Sequence, residues 1–533
     1  MTKELNRIPL TVGVTGHIDL REQDRESLYR AVKQELNSLR ERYPHTPLQM
    51  INSMAAGGDL LCAEAAEELG IPVKAVLPMP PEEYQEDFDE ASLIKLQHQL
   101  HCAENVFAAP AAETEPTEIS RDFLYRQAGI FIAEHCHVLL ALWDGRDNGK
   151  SCGTAATIRF AMEGDWEPEQ EMPARSAENC LVIHIRTPRG NDSDGKAGEV
   201  RRLGNEKAWD ALMAKTEEFN RLAEKVLPTE NPLLPEKDGL DETAARTGQI
   251  YQAADALSMT FARKYRRSLA GLALAGTMLT LAFLMYDVAA ITPMILVCGA
   301  ALVFAAQLLR RTKRTACHRR FIEYRVLAET LRVQLFLRYA GSRLEVQRLM
   351  PLTQRYETPW ILCALCAVNS VPPSGEKEDI LACWVKRQRE YHRNAGRKTK
   401  AQRQKKEQTL KTALGISALI YLVTLVYELV VGGMLFTPLI RLSNPETGRI
   451  LIKIILGTIS AGTLFMAGYY GKMSLDRVTE DHEKMERFYQ KTADRLARCG
   501  QNEKILEMLA REELTENGNW SSYQRDNAPE MNV

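Results

Sequence analysis

The first 190 residues alternate short apolar runs with longer stretches in which apolar residues recur every three or four positions. Short apolar runs bounded by turn residues are typical of buried strands, and the three-to-four spacing is typical of amphipathic helices. The strand-like runs are PLTVGVTG from Pro9, LQMINSMA from Leu48, VKAVLP from Val73, CHVLLALWDG from Cys136 and CLVIHIRTP from Cys180.

Helical patterns separate these runs. Glu22 to Tyr43 carries a stripe of four aliphatic residues, DLLCAEAAEELG ends at Gly70, and TAATIRFAMEG precedes the run at Cys180. Strands that alternate with helices predict a parallel sheet, so residues 1–190 are expected to form an α/β domain. Residues 191–250 are polar and are expected to be a linker with one helix, from Asn205 to Val226.

Four long apolar runs follow, and each is long enough to cross a hydrocarbon core of about 30 Å as a helix. Five residues separate the first two runs, which favours a helical hairpin, and a longer loop joins the second two. An all-α transmembrane region of two hairpins is therefore predicted; the alternative is four buried helices in a soluble bundle. The spans are 268–285, 291–309, 413–431 and 450–470.

Basic residues predict how these spans are oriented. KYRR precedes the first span and RRTKR follows the second, and positive charge favours the cytoplasmic side. Residues 386–411, with eleven Lys or Arg against two Glu, lead into the third span. Such a run also fits a nucleic-acid patch, but anionic lipid is the simpler partner beside a membrane helix. Residues 1–267, 310–411 and 471–533 are thus expected to be cytoplasmic.

Long amphipathic stretches flank each pair of spans, so the pattern of helix, hairpin and helix occurs twice. A duplicated module with long cytoplasmic helices is the simplest interpretation. The expected divisions are 251–345 and 381–515 for the two modules, 346–380 for a connector and 516–533 for a polar tail.

Composition adds little to this picture. The net charge of −2 over 533 residues excludes a globally basic nucleic-acid scaffold, and the scattered eleven cysteines favour reduced thiols. Cys363 and Cys366 form a lone C-x-x-C, without the second pair or histidines that a zinc site needs. No metal site and no secretion signal are expected.

Candidate chemistry lies where three strand-like runs end in glycine turns. The turns are VTGHIDL with Gly16, SMAAGGDLL with Gly57 and Gly58, and GKSCGTAATI with Gly153 before Thr154. Glycine lets a backbone approach a ligand, and the amino end of a helix favours phosphate. The turns therefore predict a nucleotide pocket, with simple tight turns as the alternative.

Four further residues in these turns have two interpretations each. Asp59 fits either an N-cap or a residue of the ligand pocket, and His17 fits either a surface turn or a phosphate donor. Trp143 fits the core or a stack on a base, and Asp144 fits a ribose contact or a turn.

These segments together resemble the SLOG superfamily, the Rossmann-like group that includes the cytokinin-activating LOG enzymes and DprA. The resemblance covers residues 8–188 and rests on GVTGHIDL, AAGGDLLCAEAAEELGIPVKAVLP, EEYQEDF, YRQAGIFIAEHCHVLLALWDG and CGTAATI. It implies a nucleotide-derived ligand, such as an ADP-ribose-like or cyclic nucleotide, and no other cofactor. The implied ligand-binding residues are Gly16, His17, Gly57, Gly58, Asp59, Tyr125, Trp143, Asp144, Gly145, Gly153 and Thr154.

The membrane half, with WVKRQREYHRNA before a span, is similar to the SLATT two-helix effectors of bacterial conflict systems. The combined resemblance implies an antiphage-defence effector of the bacterial inner membrane. Its partners would be the lipid bilayer, a nucleotide signal from a neighbouring enzyme, and further copies of itself; no nucleic acid is expected.

One departure bears on catalysis. LOG enzymes carry PGGxGTxxE, whose Glu helps cleave an N-glycosidic bond, and Thr157 occupies that place here. The resemblance then implies a receptor without catalytic residues. The alternatives are a membrane-tethered nucleotide or nucleoside hydrolase, with Asp59 or Asp144 supplying the carboxylate, and a nucleotide-gated transporter.

Two charges stand inside the second pair of apolar runs. Glu428 and Lys453 lie near the ends that a hairpin brings together, so an ion pair or a pore lining is one expectation. The alternative is that each side chain reaches the headgroups separately.

Overall fold

The computed structural model describes residues 5–110, 120–147, 149–164, 180–189, 196–227, 233, 242–373, 379–431, 444–471 and 475–526. Two compact units emerge from the described chain. The first comprises residues 1–257, 325–379 and 502–518, and the second comprises residues 258–324, 380–501 and 519–533.

A seven-stranded sheet organises the first unit, in the order β4-β3-β2-β1-β5-β6-β7. Neighbours pair in parallel except β7, which runs antiparallel to β6. The α/β parallel sheet predicted for this region is confirmed. The strands are β1 Leu10–Gly16, β2 Leu48–Asn52, β3 Val73–Leu77, β4 Asn105–Ala108, β5 Val138–Trp143, β6 Leu181–Arg186 and β7 Val200–Leu203.

Helices surround this sheet because its central strands are apolar on both sides and must be covered. The stripe of Leu28, Val32, Leu36 and Leu39 is buried against the sheet, as its spacing predicts. The helices are α1 Arg25–Arg42, α2 Gly58–Glu68, α3 Pro81–Tyr84, α4 Glu90–Cys102, α5 Arg121–His135, α6 Thr154–Glu163 and α7 Glu206–Ala223.

Residues 196–227 differ from the expected linker, because β7 and α7 belong to the sheet unit. The Trp209 indole on α7 is buried and donates to the His137 carbonyl at 2.7 Å. Asn220 exchanges two hydrogen bonds of 2.8 Å with the backbone of Ile8. The expected domain boundary at residue 190 is therefore too early. The helix expected in this region is present as α7, but it packs against the sheet instead of lying in a linker. The remaining linker positions, 191–195, 228–232 and 234–241, lie outside the described residues.

The expected connector, 346–380, also packs in the first unit. Its longest helix buries every residue after Pro359, including Cys363 and Cys366, because it is apolar on all sides. Both cysteines are free thiols, as predicted. The helices of the connector are α11 Val346–Leu349, α12 Leu352–Glu357 and α13 Pro359–Val368; residues 374–378 are outside the described chain. They follow α10 Cys317–Tyr339, which belongs to the first unit from residue 325 onward.

Long helices build the second unit. They are α8 Glu242–Asp287, whose first sixteen residues belong to the first unit, α9 Met294–Thr315, α14 Arg387–Val430, α15 Pro445–Gly471 and α16 Leu475–Cys499. A π-helical turn, Leu381–Lys386, leads into α14. The last helix, α17 Glu503–Asp526, extends through the start of the expected polar tail, so that tail begins later than residue 516.

Four of these helices, α8, α9, α14 and α15, are long and apolar enough to cross a membrane. Their most apolar segments have a mean hydropathy of 1.6 to 2.0, yet at most 11% of each segment is buried. Leu274, Leu296 and Leu464 are 61%, 75% and 71% exposed. A soluble bundle would bury such side chains, so the structure favours a membrane protein over that alternative.

Small residues on these helices serve packing within the chain. A Cβ at Gly276 of α8 would lie 2.5 Å from the Phe465 ring of α15, and one at Gly457 would lie 2.6 Å from Leu284. Gly271 faces Leu308 of α9 in the same way. Close backbone approach through glycine is the usual device of helix packing in lipid.

Candidate functional site

The strand order reverses between β1 and β5, and two of the predicted residues meet at that point. His17 follows β1 and Asp144 follows β5, at the carboxyl edge of the sheet. The His17 amide donates to the Leu142 carbonyl at 3.1 Å, and the Asp144 amide donates to His17 Nε2 at 3.0 Å. Ligands of open α/β sheets bind in the crevice at such a reversal.

The Asp144 carboxylate is held in a defined position. Its Oδ1 accepts from the Arg146 amide at 3.0 Å and lies 3.2 Å from His17 Nε2. Desolvation opposes ionisation, but the hydrogen bond from the Arg146 amide and the attraction of a protonated His17, present at the low pH where Asp144 titrates, outweigh it and lower the pKa of Asp144. Desolvation also lowers the pKa of His17, despite Asp144. The pair at neutral pH is therefore a carboxylate beside a neutral imidazole.

The first two glycine turns pack against each other. A Cβ at Gly16 would lie 2.8 Å from Gly58 Cα, and one at Gly57, where φ is +80°, would collide with the Ile18 and His17 carbonyls. The Gly58 amide donates to the His17 carbonyl at 2.9 Å. The space that a side chain would take at these three glycines is filled by backbone, so glycine is needed here for close packing of the two turns.

Asp59 is not the N-cap of α2, since Gly57 holds that position and Asp59 lies in the first turn. Its side chain is 2% exposed; Oδ2 accepts from the Ser53 hydroxyl at 2.5 Å, and Oδ1 has no hydrogen-bond partner among the described residues. Burial raises the pKa of Asp59 to about 7. A buried carboxyl that titrates near neutrality is the most perturbed acid at this edge.

The third glycine turn is different. Gly153 is the N-cap of α6 with φ +88°, and no described atom lies within 4 Å of a Cβ built there. Thr154 begins the helix, and its first turn carries no acid. The unpaired amides at the amino end of such a helix are suited to an anion.

Trp143 and Gly145 shape the turn after β5. The Trp143 indole donates to the Arg146 carbonyl at 3.1 Å, and its ring lies 5.3 Å from the His184 ring. Gly145 has a φ of +85°, which favours glycine, and is exposed. Trp143 is thus part of the turn and half-buried. It is neither a fully buried core residue nor a fully exposed ring.

Tyr125 belongs to a separate group. Its hydroxyl donates to Asp87 Oδ2 at 2.5 Å, and Arg121 donates to Asp87 Oδ1 at 2.8 Å. The Tyr125 ring lies 6.1 Å from Tyr84, whose buried hydroxyl has no hydrogen-bond partner within the described chain. No contact joins Tyr125 to His17 or Asp144 in the part of the molecule that the structure describes.

Thr157 is buried in the interface of α5 and α6. Its hydroxyl donates to the Gly153 carbonyl at 3.2 Å, and a Cβ at Gly129 of α5 would lie 2.7 Å from that hydroxyl. A glutamate at position 157 would need space that α5 occupies. Thr157 therefore suits close helix packing at this position.

Ser53, Tyr84 and Arg189 escaped the sequence analysis. Ser53 donates a hydrogen bond to Asp59, and the charge of Asp59 is one of the influences on the Tyr84 hydroxyl. Both interactions depend on the fold, and no sequence motif marks either residue. Arg189 follows β6 and pairs with Asp19 at 3.0 Å, which places a cation near His17 and Asp144. Arg189 could have been found from the sequence, because it is a basic residue that comes shortly after a predicted strand, at the carboxyl edge of the sheet.

A cavity of about 190 Å³ lies at the opposite, amino edge of the sheet. Its lining includes Arg7, Arg40 and Arg246. Two of these cations are paired, Arg7 with Glu224 at 3.1 Å and Arg246 with Glu104 at 3.8 Å. The carboxyl edge remains the better candidate because chain reversal, polar side chains and a free helix end coincide there.

The membrane charges are arranged differently from the expectation. Glu428 pairs with Arg449 through two contacts of 2.8 and 2.6 Å, so Lys453 is not its partner. Lys453 is exposed. Arginine forms the tighter pair because its guanidinium matches both carboxylate oxygens.

A scan of protein-family models found none that matches this chain, and a search of curated proteins found no similar one.

Proposed function

We propose that the first unit binds a nucleotide-derived messenger, ADP-ribose-like or a cyclic nucleotide, at the carboxyl edge between β1 and β5. The observation that carries this proposal is the joining of His17 and Asp144 at the reversal of strand order. The end of α6 would take the phosphate, because it begins beside open space and lacks an acid. Asp144 would take ribose hydroxyls, as carboxylates at this edge of related sheets do.

The helices α8, α9, α14 and α15 would cross a bacterial inner membrane as two hairpins with both termini in the cytoplasm. Support comes from their exposed apolar surfaces and from the basic residues that flank them. Ligand binding would drive copies of the chain to assemble or to open a pore, as the resemblance to antiphage effectors implies. A neighbouring enzyme would supply the messenger.

Leakage from liposomes tests this proposal. Purified protein in dye-loaded liposomes is exposed to ADP-ribose and to a panel of cyclic nucleotides, with ATP as a control ligand. At least one messenger should release the dye, and His17→Asn should abolish release. His45→Asn, a substitution before β2 at the amino edge, should leave it unchanged. Tight liposomes with inserted, ligand-saturated protein would contradict a membrane-disrupting effector.

A nucleotide or nucleoside hydrolase is the second candidate, and the buried Asp59 favours it. A carboxyl with a pKa of about 7 is suited to general acid or base catalysis at neutral pH. Incubation with NAD, AMP and cyclic nucleotides, followed by chromatography for free base and ribose, separates this candidate from a receptor. Base release that disappears in Asp59→Asn would establish the hydrolase; intact ligand that still binds would exclude it for those compounds.

A further inference from the structure

A group of three potential metal ligands lies on α2 and α4, apart from the candidate site described above. Within the described part of the chain, Glu67, His98 and Cys102 are the one group of this kind whose ligand atoms all lie within 4.8 Å of one another. His98 and Cys102 are four residues apart on α4, so they share a face, and Glu67 approaches from α2.

The distances between the three ligand atoms match the edges of a tetrahedron around zinc. Zn–N, Zn–O and Zn–S bonds of about 2.0 to 2.3 Å give edges of about 3.3 to 3.6 Å. His98 Nε2 lies 3.0 Å from Glu67 Oε1, Cys102 Sγ lies 3.6 Å from the same oxygen, and Sγ lies 3.7 Å from Nε2. A metal ion fits between the three atoms with shifts of a few tenths of an ångström.

The carboxylate is also held in place by a neighbour. Gln99, which is 2% exposed, donates to Glu67 Oε2 at 2.7 Å. His98 Nε2 lies almost equally far from both carboxylate oxygens, 3.0 Å from Oε1 and 3.1 Å from Oε2, and Oε1 is the oxygen that also lies near Cys102. An outer hydrogen bond of this kind commonly orients a ligating carboxylate. All three ligand residues are exposed, so an ion can enter from solvent and a water can complete the fourth position.

We propose that Glu67, His98 and Cys102 form a surface Zn²⁺ site with three protein ligands and one solvent position. Binding joins the neutral imidazole, the carboxylate and the thiolate to the ion, and the Cys102 thiol proton passes to water. The ion would fasten the end of α4 to the end of α2, the helix that begins at Gly58.

The test uses the full-length protein in detergent after chelator treatment and removal of any histidine tag. Titration with Zn²⁺ should give one site per chain, and Co²⁺ should give the charge-transfer absorption of a thiolate ligand. Cys102→Ser should abolish that absorption, and His98→Gln should weaken metal binding at least tenfold. Gln99→Leu, which removes only the outer hydrogen bond, should weaken it about tenfold while the absorption persists.

Two matched controls should behave like the parent protein. Cys499→Ser removes the other exposed cysteine of the described residues, and His101→Gln changes the histidine beside Cys102. Absence of the thiolate absorption at saturating Co²⁺, or its survival in Cys102→Ser, would overturn the proposal. The three ligand side chains are exposed, so their variants should fold, and circular dichroism verifies this directly.

Discussion

Two glycine turns that look equivalent in sequence have opposite surroundings in the structure. At the amino end of α2, Gly57 and Gly58 are enclosed by the backbone of residues 16–18. At the amino end of α6, no atom of the described residues lies within 4 Å of a Cβ built at Gly153. Glycine therefore has two different roles: in one turn it lets two loops pack, and in the other it leaves room beside a helix end.

The acids at the two turns differ as well. The first turn of α2 holds the buried Asp59, whose carboxyl repels an anion whenever it ionises, whereas the first turn of α6 holds none. Phosphate binding is thus expected at α6, while α2 supplies structure and a titrating group.

The largest effect should come from filling the closed turn. A Cβ at position 58 lies 2.9 Å from Gly16 Cα and 3.3 Å from Leu142 Cβ, so Gly58→Val should cost about 5 kcal/mol or more. Folded yield and thermal unfolding in detergent measure this loss. Gly70→Val is the uncrowded control, because no described atom lies within 4 Å of a Cβ at Gly70; its φ of +63° adds a backbone strain that Gly58 does not have, so crowding alone must make Gly58→Val the less stable variant. Equal melting of the two variants would contradict the packing role.

The next effect is a pH-dependent penalty from Asp59. Its pKa is raised from 3.8 to about 7, so the folded state holds a proton that the unfolded state releases between these values. Stability should therefore fall as the pH rises from about 4 to about 7, by up to about 4 kcal/mol, and stay level above.

Asp59→Asn isolates that penalty. The variant should melt above the parent at pH 8 and close to it at pH 4, because the amide cannot ionise. Thermal unfolding at four pH values between 4 and 8 measures the difference. A difference that does not change with pH would show that Asp59 ionises normally.

Filling the open turn should have the smallest effect on stability and a selective effect on binding. Gly153→Val should weaken affinity for the messenger tenfold or more, which is about 1.4 kcal/mol, because the side chain enters the space beside α6. Its unfolding temperature should fall only as far as that of Gly70→Val, since both residues have a positive φ. Calorimetric titration measures the affinity; an unchanged value would remove α6 from the site.

The spacing of apolar residues along the chain predicted those strands and helices whose burial follows from that spacing. Five of the seven strands, the α1 stripe and the four apolar helices were predicted, because burial on one or both sides leaves a pattern in the sequence. The edge strands β4 and β7 were not predicted, because they are short and only partly buried. Residues 196–227 and 346–373 were misassigned because their helices pack against distant segments, as Trp209 does against His137. Packing against distant parts of the chain leaves no regular spacing in these segments, so it could not be predicted from their sequence.

The candidate site was only partly predictable for the same reason. His17 and Asp144 follow strands, so topology brings them together. The enclosure of Gly57, by contrast, depends on a neighbouring loop, and the partner of Glu428 depends on which turn of α15 faces it. Neither can be derived from spacing along the chain.

Hydrogen–deuterium exchange of the full-length protein, with and without a saturating messenger, tests the central claim most directly. We predict slower exchange at residues 16–18, 144–147 and 153–156, because these surround the crevice between β1 and β5. Protection confined to residues 7–9, 47–49 and 70–72, which line the arginine-rich cavity at the amino edge, would place the ligand there and contradict the account.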